Sequence, residues 1–173
     1  MGKYAIVIFS FLISFFLLLM LPTQSENPQE CPFCSQTVLQ RQKFYEDERV
    51  MALYTHKPIQ PGHVLIIPKR HVERFEELTD AEVSHIGQVV KKVDTAVQRV
   101  FGTSSYLLLQ KNGKEVGQTV SHLHVHYIPR KSGEDSTLGF LLNMFWANIK
   151  SPIPPHEIEK IVAELKAASA TNP

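Results

Sequence analysis

Histidine alternates with apolar residues in the segment H-L-H-V-H-Y-I-P, residues 122–129. Successive side chains of an extended strand point to opposite faces, so this period of two predicts a strand over about residues 120–128, ended by Pro129. The two faces of that strand would carry His122, His124 and His126 on one side and Leu123, Val125 and Tyr127 on the other. We therefore expect a strand that buries its apolar side and lines its other side with imidazoles.

The remaining pattern indicates an α+β fold. Further short strands are predicted over residues 50–54, 64–67 and 106–109, which are rich in branched and aromatic side chains. One long helix is predicted over residues 79–101, because Thr79 and Glu82 form a capping box and apolar residues recur every third and fourth position. One short helix is predicted over about residues 156–168. Strands in meander order around one long helix predict an antiparallel sheet.

The chain begins with an uncharged apolar run of 18 residues, 4–21. This length lies between the core of a signal peptide and a membrane-spanning helix of about 20 residues. We predict that residues 1–24 form an apolar helix that acts as a signal anchor, with a linker at 25–30 and one domain over 31–173. Lys3 before the run would place that domain outside the cytoplasm. The alternative is a cleaved signal peptide and a secreted or periplasmic protein.

The charge balance argues against a nucleic-acid partner. Without Lys3, the 18 basic residues of the chain become 17, and all 17 acidic residues follow position 24. A domain with no net charge lacks the basic surface that binds duplex nucleic acid. A small-molecule partner is favoured instead.

The row of histidines favours phosphorus chemistry over one shared metal ion. Repulsion between the charged forms keeps at least one imidazole neutral near pH 7, and a neutral imidazole can attack phosphorus to form a covalent intermediate. On one extended strand, the first and third histidines lie about 13 Å apart. Three bonds of about 2.1 Å to a single ion cannot span that distance, so at most two of the three histidines share a metal.

This segment resembles the histidine-triad (HIT) superfamily, whose signature alternates histidine with apolar residues. P-G-H-V-L-I-I-P-K-R-H-V-E-R-F-E-E-L at 61–78 resembles the family's other motif, and G-Q-T-V at 117–120 resembles its fragile-histidine-triad branch. The resemblance covers about residues 31–130. It implies an antiparallel sheet in each subunit, a homodimer, and a nucleotide bound with its α-phosphate against the triad.

The resemblance also implies roles for individual residues. His124 would be the nucleophile, His126 would hold phosphate oxygens, His63 would orient the site, and Gln118 would approach the scissile bridging oxygen. Further substrate contacts are predicted at Thr119, Thr55, Lys111 and Arg130. Thr55 and Lys111 depart from the residues of many relatives, which carry Asp or Asn at the first position and Asn at the second.

The implied activity is that of a nucleotide hydrolase or transferase. It would cleave dinucleoside polyphosphates at the α-phosphate through a nucleotidyl-histidine intermediate. The alternatives are a nucleoside phosphoramidate hydrolase and a membrane-held nucleotide-binding module with little turnover.

The pair Cys31 and Cys34 in C-P-F-C allows three interpretations. Two thiolates separated by two residues can hold a structural zinc ion if two further ligands come from elsewhere. His71 and His122 complete such a set in the resemblance to bacterial HIT proteins. The other interpretations are a redox-active pair, which lacks the surrounding βαβ pattern, and a disulfide.

Overall fold

The computed structural model describes residues 31–133, 136–147 and 149–170. Its helices and strands follow in the order α1 (Gln36–Gln42), β1 (Lys43–Glu46), β2 (Val50–Tyr54), β3 (Val64–Pro68), α2 (Asp80–Phe101), β4 (Tyr106–Gln110), β5 (Val125–Pro129), α3 (Thr137–Trp146) and α4 (Pro155–Ala170). Single turns of 3-10 helix occupy Phe75–Glu77 and Lys114–Val116.

The five strands form one sheet in the order β1-β2-β3-β5-β4, and every neighbouring pair is antiparallel. The α+β class and the antiparallel sheet are therefore confirmed. The last strand of the sequence lies inside the sheet, so His126 has a partner on both sides. Leu65 of β3 lies opposite it in one direction, and Leu109 of β4 lies opposite it in the other.

The two faces of the sheet have different coverings. Helices α2 and α4 pack against each other and cover one face, where Leu123, Val125 and Tyr127 join the main core as predicted. The opposite face carries a smaller apolar cluster, formed by Cys31, Phe33, Met51, Leu53, Leu65 and Ile67. The side chains of His124 and His126 belong to this second face, because side chains alternate along β5.

Helix α2 begins and ends where the sequence predicts. The Thr79 hydroxyl accepts from the Glu82 amide at 3.3 Å, and the Glu82 carboxylate accepts from the Thr79 amide at 2.9 Å. Gly102 ends the helix with φ 74°, a left-handed conformation that glycine adopts without a steric penalty. The helix thus buries its apolar stripe against the sheet between two sequence-encoded ends.

Three fold predictions need correction. The predicted strand over 120–128 begins only at Val125, because the Leu123 amide donates to the Val72 carbonyl at 2.6 Å and so pairs with the loop after β3. Helices α1 and α3 and strand β1 were not predicted, so the described residues contain four α-helices instead of one long and one short helix. The predicted short helix is α4, which is two residues longer at its C-terminal end.

The predicted membrane localisation is also corrected. Within the described ranges, no helix is long and apolar enough to cross a membrane. The predicted apolar helix at 1–24, with its run at 4–21, and the linker at 25–30 lie outside the described residues. The anchored, extracytoplasmic localisation is therefore withdrawn.

Candidate active site and metal centre

Three of the predicted catalytic residues lie together on the face opposite the helices. The rings of His124 and His126 are 4.9 Å apart between centroids, and those of His63 and His126 are 5.2 Å apart. His63 comes from the loop that leads into β3 and His126 from β5, while His124 directly precedes β5. The sheet therefore brings residues that are 61 or more positions apart in the sequence into one row.

The hydrogen bond of His124 fixes which ring nitrogen is free. Its Nδ1 lies 2.7 Å from the carbonyl oxygen of His122. A carbonyl only accepts, so Nδ1 carries the proton and Nε2 keeps its lone pair. Burial lowers the pKa of His124, and the charge of Lys111 lowers it further. The side chain is thus a neutral imidazole with one nitrogen available for nucleophilic attack.

His63 and His126 form a second, connected pair. The Ile59 amide donates to His63 Nδ1 at 3.1 Å, so His63 carries its proton on Nε2. That proton is donated to His126 Nδ1 at 2.9 Å, which leaves the Nε2 proton of His126 to donate elsewhere. Burial, with the charges of neighbouring histidines, lowers the pKa of His63 to about 3 and that of His126 to about 2. Both rings are therefore neutral, and His126 is a donor for an anionic oxygen.

Cys31, Cys34, His71 and His122 form a second cluster beside the row. One ligand atom from each lies within 4.8 Å of the others. His122 Nδ1 is 3.5 Å from the sulfur of Cys31 and 3.6 Å from that of Cys34, while His71 Nδ1 is 3.4 Å from Cys34. His122 Nε2 lies 2.9 Å from the Pro68 carbonyl and donates to it, so the Nδ1 lone pair faces the thiols.

These distances fit a tetrahedral zinc site. Bonds of about 2.3 Å to sulfur and about 2.0–2.1 Å to nitrogen, at tetrahedral angles, separate each sulfur–nitrogen pair by about 3.5–3.6 Å. The three separations in the cluster lie within about 0.2 Å of that value. The cluster can therefore bind a metal ion, with the orientation of His122 held by the Pro68 carbonyl as in other metal sites.

The environment of the Cys34 thiol is unlike that of a redox-active cysteine. Both cysteines are free thiols. Burial, followed by the proximity of Cys31, raises the pKa of Cys34 to about 11. Redox-active cysteines have a lowered pKa, because the thiolate is the reactive form. This environment favours the metal interpretation over the redox interpretation.

The side chain of Gln118 is held by hydrogen bonds to the backbone. Its side chain is fully buried, and its oxygen accepts from the Gly113 amide at 2.7 Å. Its nitrogen donates to the carbonyls of Glu73 and Val120 at 2.9 and 3.1 Å. The amide therefore ties the loop after β4 to its surroundings.

The four predicted substrate-binding residues differ in their burial and in their distance from the histidines. Thr55 is buried next to His63, whose carbonyl accepts from the Thr55 amide at 3.3 Å, and its hydroxyl accepts from the Lys57 amide at 3.4 Å. Thr119 is exposed, and Lys111 is half-buried near the triad. Arg130 instead lies over the ring of Phe140 in α3, at 5.2 Å.

Two residues that lie beside the row of histidines were not predicted as site residues from the sequence. The ring of Phe33 packs edge-to-face on His124, with centroids 5.2 Å apart, and also contacts His122. Lys150 donates to the Pro58 carbonyl, and its charge contributes to the lowered pKa of His63. The position of Phe33 between the two cysteines was the available signal, whereas Lys150 follows α3 with no motif around it.

Comparisons with known proteins identify the family of this chain. The sequence profile of the HIT domain matches residues 36–133. The asymmetrical bis(5'-nucleosyl)-tetraphosphatase of Schizosaccharomyces pombe is 42% identical over 95 residues, which are 55% of this chain and 52% of that protein. The bis(5'-adenosyl)-triphosphatase of Dictyostelium discoideum is 33% identical over 129 residues, which are 75% of this chain and 86% of that protein. The chain thus spans about half the length of the first relative and most of the second.

The fold is also found in solved structures. A crystal structure of a Zn-bound histidine triad family protein from Mycobacterium smegmatis has a TM-score of 0.64 with this chain at 24% sequence identity. The match covers 83% of this chain and 96% of that one. The two chains share the same sheet and helix arrangement over nearly the whole of the bacterial protein.

Proposed function

The chain belongs to the HIT domain family, and from that premise we propose that it is a nucleotide hydrolase acting on the α-phosphate of dinucleoside polyphosphates. Two relatives of the chain are named as a bis(5'-nucleosyl)-tetraphosphatase and a bis(5'-adenosyl)-triphosphatase. The observation that carries the proposal is the hydrogen bond from His124 Nδ1 to the His122 carbonyl. It leaves Nε2 as a neutral nucleophile in the row of imidazoles.

The proposed reaction has two displacements at phosphorus. The Nε2 lone pair of His124 forms a bond to the α-phosphorus while the bond to the bridging oxygen breaks, and the leaving phosphate takes the electron pair. Water then adds to the phosphorus, the nitrogen–phosphorus bond breaks, and its electron pair returns to Nε2. One water is consumed: its oxygen stays on the nucleoside monophosphate, and its protons pass to solvent or product oxygens.

The neighbouring imidazoles stabilise the charge that develops on the phosphate. His126 Nε2–H donates to a non-bridging oxygen, and His63 keeps His126 in the tautomer that has this donor. Because these rings are fixed before substrate binds, little reorganisation is needed in the transition state. Gln118 acts at a distance in this scheme, by ordering the loop that follows β4.

We also propose that Cys31, Cys34, His71 and His122 hold a structural zinc ion. The sulfur–nitrogen separations and the direction of the His122 lone pair support it. When bound, the ion would fasten the segment before α1 onto the sheet, and its closed set of four protein ligands leaves no position for substrate. The reaction itself passes through His124 and not through the metal.

We propose that the protein forms a homodimer through the free edge of β4. Within the described sheet β4 has one neighbour, β5, and it exposes Tyr106, Leu107 and Leu108 by 40%, 39% and 43%. An apolar edge strand is prone to pair with another chain. A second copy that adds its own β4 would satisfy the edge and cover these side chains. The catalytic unit would be the domain over residues 31–173.

Replacement of His124 tests the proposed function. The His124→Ala variant of the full-length chain should lose at least about 1,000-fold in kcat on diadenosine triphosphate, because the nucleophile is removed. Wild-type protein quenched during turnover should carry an added nucleotidyl mass on the peptide that contains His124.

The control is His85→Ala: the His85 side chain, on α2, pairs with Asp47, which follows β1, and its removal should leave kcat unchanged. Turnover that persists in the His124 variant at the wild-type rate contradicts the mechanism. No turnover by the wild-type chain contradicts the function itself.

A further inference from the structure

One peptide group beside the row of histidines accepts one hydrogen bond and donates another. The carbonyl of Pro58 accepts from the ammonium of Lys150. The amide of the same peptide bond, which is that of Ile59, donates to His63 Nδ1 at 3.1 Å. Because the peptide bond is conjugated, a donor at its oxygen makes its N–H a stronger donor. The Pro58–Ile59 peptide therefore connects Lys150 to the histidines.

The hydrogen bonds continue in the same direction through the histidines. His63 Nε2 donates to His126 Nδ1 at 2.9 Å, so that the Nε2–H of His126 is the last donor of the series. Every donor from Lys150 onward thus points towards the proposed position of the phosphate. Hydrogen bonds in such a series polarise one another, by roughly 10–30% per bond. A positive charge at its start therefore strengthens the donor at its end.

Backbone hydrogen bonds hold Lys150 beside this peptide group. Its own amide donates to the Trp146 carbonyl at 3.0 Å, at the C-terminal end of α3. Three residues later, the Ile153 amide donates to the His56 carbonyl at 3.0 Å, and the Ile153 side chain packs against the main core. The segment after α3 is therefore attached to the loop between β2 and β3 at two points, by the ammonium and by a backbone amide.

The charge of Lys150 also favours neutral histidines. Among the described residues, none of the ion pairs involves Lys150, so no carboxylate of that part of the chain neutralises it. Burial first, then the charges of His124 and Lys150, lower the pKa of His63 to about 3. The series requires a neutral ring at this position, because a protonated His63 could not accept from the Ile59 amide.

We propose that Lys150 is a positioning residue that holds the His63–His126 pair in the tautomer able to donate to phosphate. This inference rests on the proposed function and adds to it a residue outside the row of histidines. Without the ammonium, the Pro58–Ile59 peptide can turn, and its N–H no longer faces His63 Nδ1. Both imidazoles can then move their protons to Nδ1, so that His126 would present a lone pair to the phosphate oxygen and repel it.

Lysine variants of the full-length protein test the inference. Lys150→Met removes the charge and the donor, whereas Lys150→Arg keeps both. Lys150→Met should lower kcat on diadenosine triphosphate about 3- to 30-fold and change KM by less than about twofold, because the donor of His126 acts mainly in the transition state. Lys150→Arg should recover kcat to within about threefold of the wild-type value.

Nuclear magnetic resonance of protein with isotope-labelled histidine gives a readout that does not depend on turnover. In the wild type, His63 and His126 should each show a protonated Nε2 and an unprotonated Nδ1 near pH 7. In Lys150→Met, these nitrogen signals should move towards the average of both tautomers, and Lys150→Arg should return them. The signals of His124 should stay unchanged, because the His122 carbonyl holds its Nδ1 proton.

The matched control is Lys160→Met, at an exposed position of α4, which should change neither kcat nor the histidine signals. Each variant should melt within about 3 °C of the wild type, because both lysines are exposed. Unchanged histidine signals in Lys150→Met overturn the inference, whatever the change in kcat. Shifted signals with a wild-type kcat overturn it as well. If the wild type hydrolyses no nucleotide, the proposed function fails, and the signals of His63 and His126 alone decide whether Lys150 sets their tautomer.

Discussion

Cys34 belongs both to the proposed metal site and to the apolar packing beside it. Its sulfur is near the ring nitrogens of both His71 and His122, which come from different parts of the sequence. A bound zinc ion would replace the thiol proton, which burial otherwise keeps in place by raising the pKa. Metal binding would thus add to the packing of Cys34 against the smaller apolar cluster.

Replacement of Cys34 with Ser should abolish metal binding. Wild-type protein should contain about one zinc per chain and the variant nearly none, as measured by inductively coupled plasma mass spectrometry. The melting temperature should fall by at least about 5 °C, because the segment before α1 loses its attachment to the sheet.

Ser35→Ala is the matched control. It lies next to Cys34, its side chain makes no capping hydrogen bond to α1, and it should retain full zinc content. A wild-type protein that contains no zinc after purification without chelators contradicts the metal site.

At the residue scale, alternation in the sequence was enough to predict that His124 and His126 share one face, but not what surrounds them. A period of two assigns His124 and His126 to one face, and the structure brings their rings together. The same periodicity does not predict that the side chain of Gln118 is buried. That side chain accepts from the Gly113 amide and donates to the Glu73 carbonyl, and both partners lie outside the repeat. The contact of Phe33 with His124 depends on how residues 31–34 pack against the sheet, and no local sequence pattern predicts that packing.

Helix α2 is held at its start by a carboxylate with several partners. Glu82 accepts from the Thr79 amide, and Arg70 donates to it twice, at 3.1 and 2.8 Å. These partners, Arg70 first, lower the pKa of Glu82 from 4.5 to about 2. Because the folded pKa is lowered, the contribution to stability is fully present above pH 4.5 and is lost as the pH falls towards 2.

Glu82→Gln should therefore lower the free energy of unfolding by about 1–3 kcal/mol at pH 7. The difference from wild type should decrease steadily as the pH is lowered below 4.5 in a series of denaturant titrations. Glu164→Gln, at an exposed position of α4, should show no comparable difference. A gap between Glu82→Gln and wild type that stays constant down to pH 2.5 would contradict this assignment of the charge.

At the element scale, the predictable elements are those whose ends are encoded locally. Thr79, Glu82 and Gly102 mark the two ends of α2, and its bounds were predicted within one residue. The alternating pattern, in contrast, already begins at 120–124, where the chain has not yet joined the sheet and the Leu123 amide donates to Val72 instead. Because of this tertiary hydrogen bond β5 begins only at Val125, so periodicity alone predicted too long a strand.

The whole molecule should be a dimer in solution. Leu108→Lys should shift the mass measured by light scattering from two chains to one, because a charged side chain on an edge strand prevents pairing. Leu138→Lys, on the exposed surface of α3, should leave the dimer intact. A monomeric wild type contradicts the proposed assembly, and loss of the dimer only in Leu138→Lys would place the interface on α3.

At this scale, the sequence was sufficient for the α+β class and for the HIT family, which the comparison confirms. It was not sufficient for α1 and α3, because α1 has only seven residues and α3 is apolar on most sides. The positions of such helices depend on the tertiary contacts that they make. Local sequence motifs do not predict those contacts.

His122 belongs to both centres, since its side chain faces the thiols while its carbonyl holds the proton of His124. A screen that scores only turnover would therefore count Cys31 and Cys34 among the reacting groups, although neither would approach the substrate. Loss of metal would let the backbone at His122 relax, and the nucleophile would spend time in the wrong tautomer. Zinc content and reaction rate should consequently decline together across variants of the four ligands, and only measuring both would reveal which residues perform the chemistry.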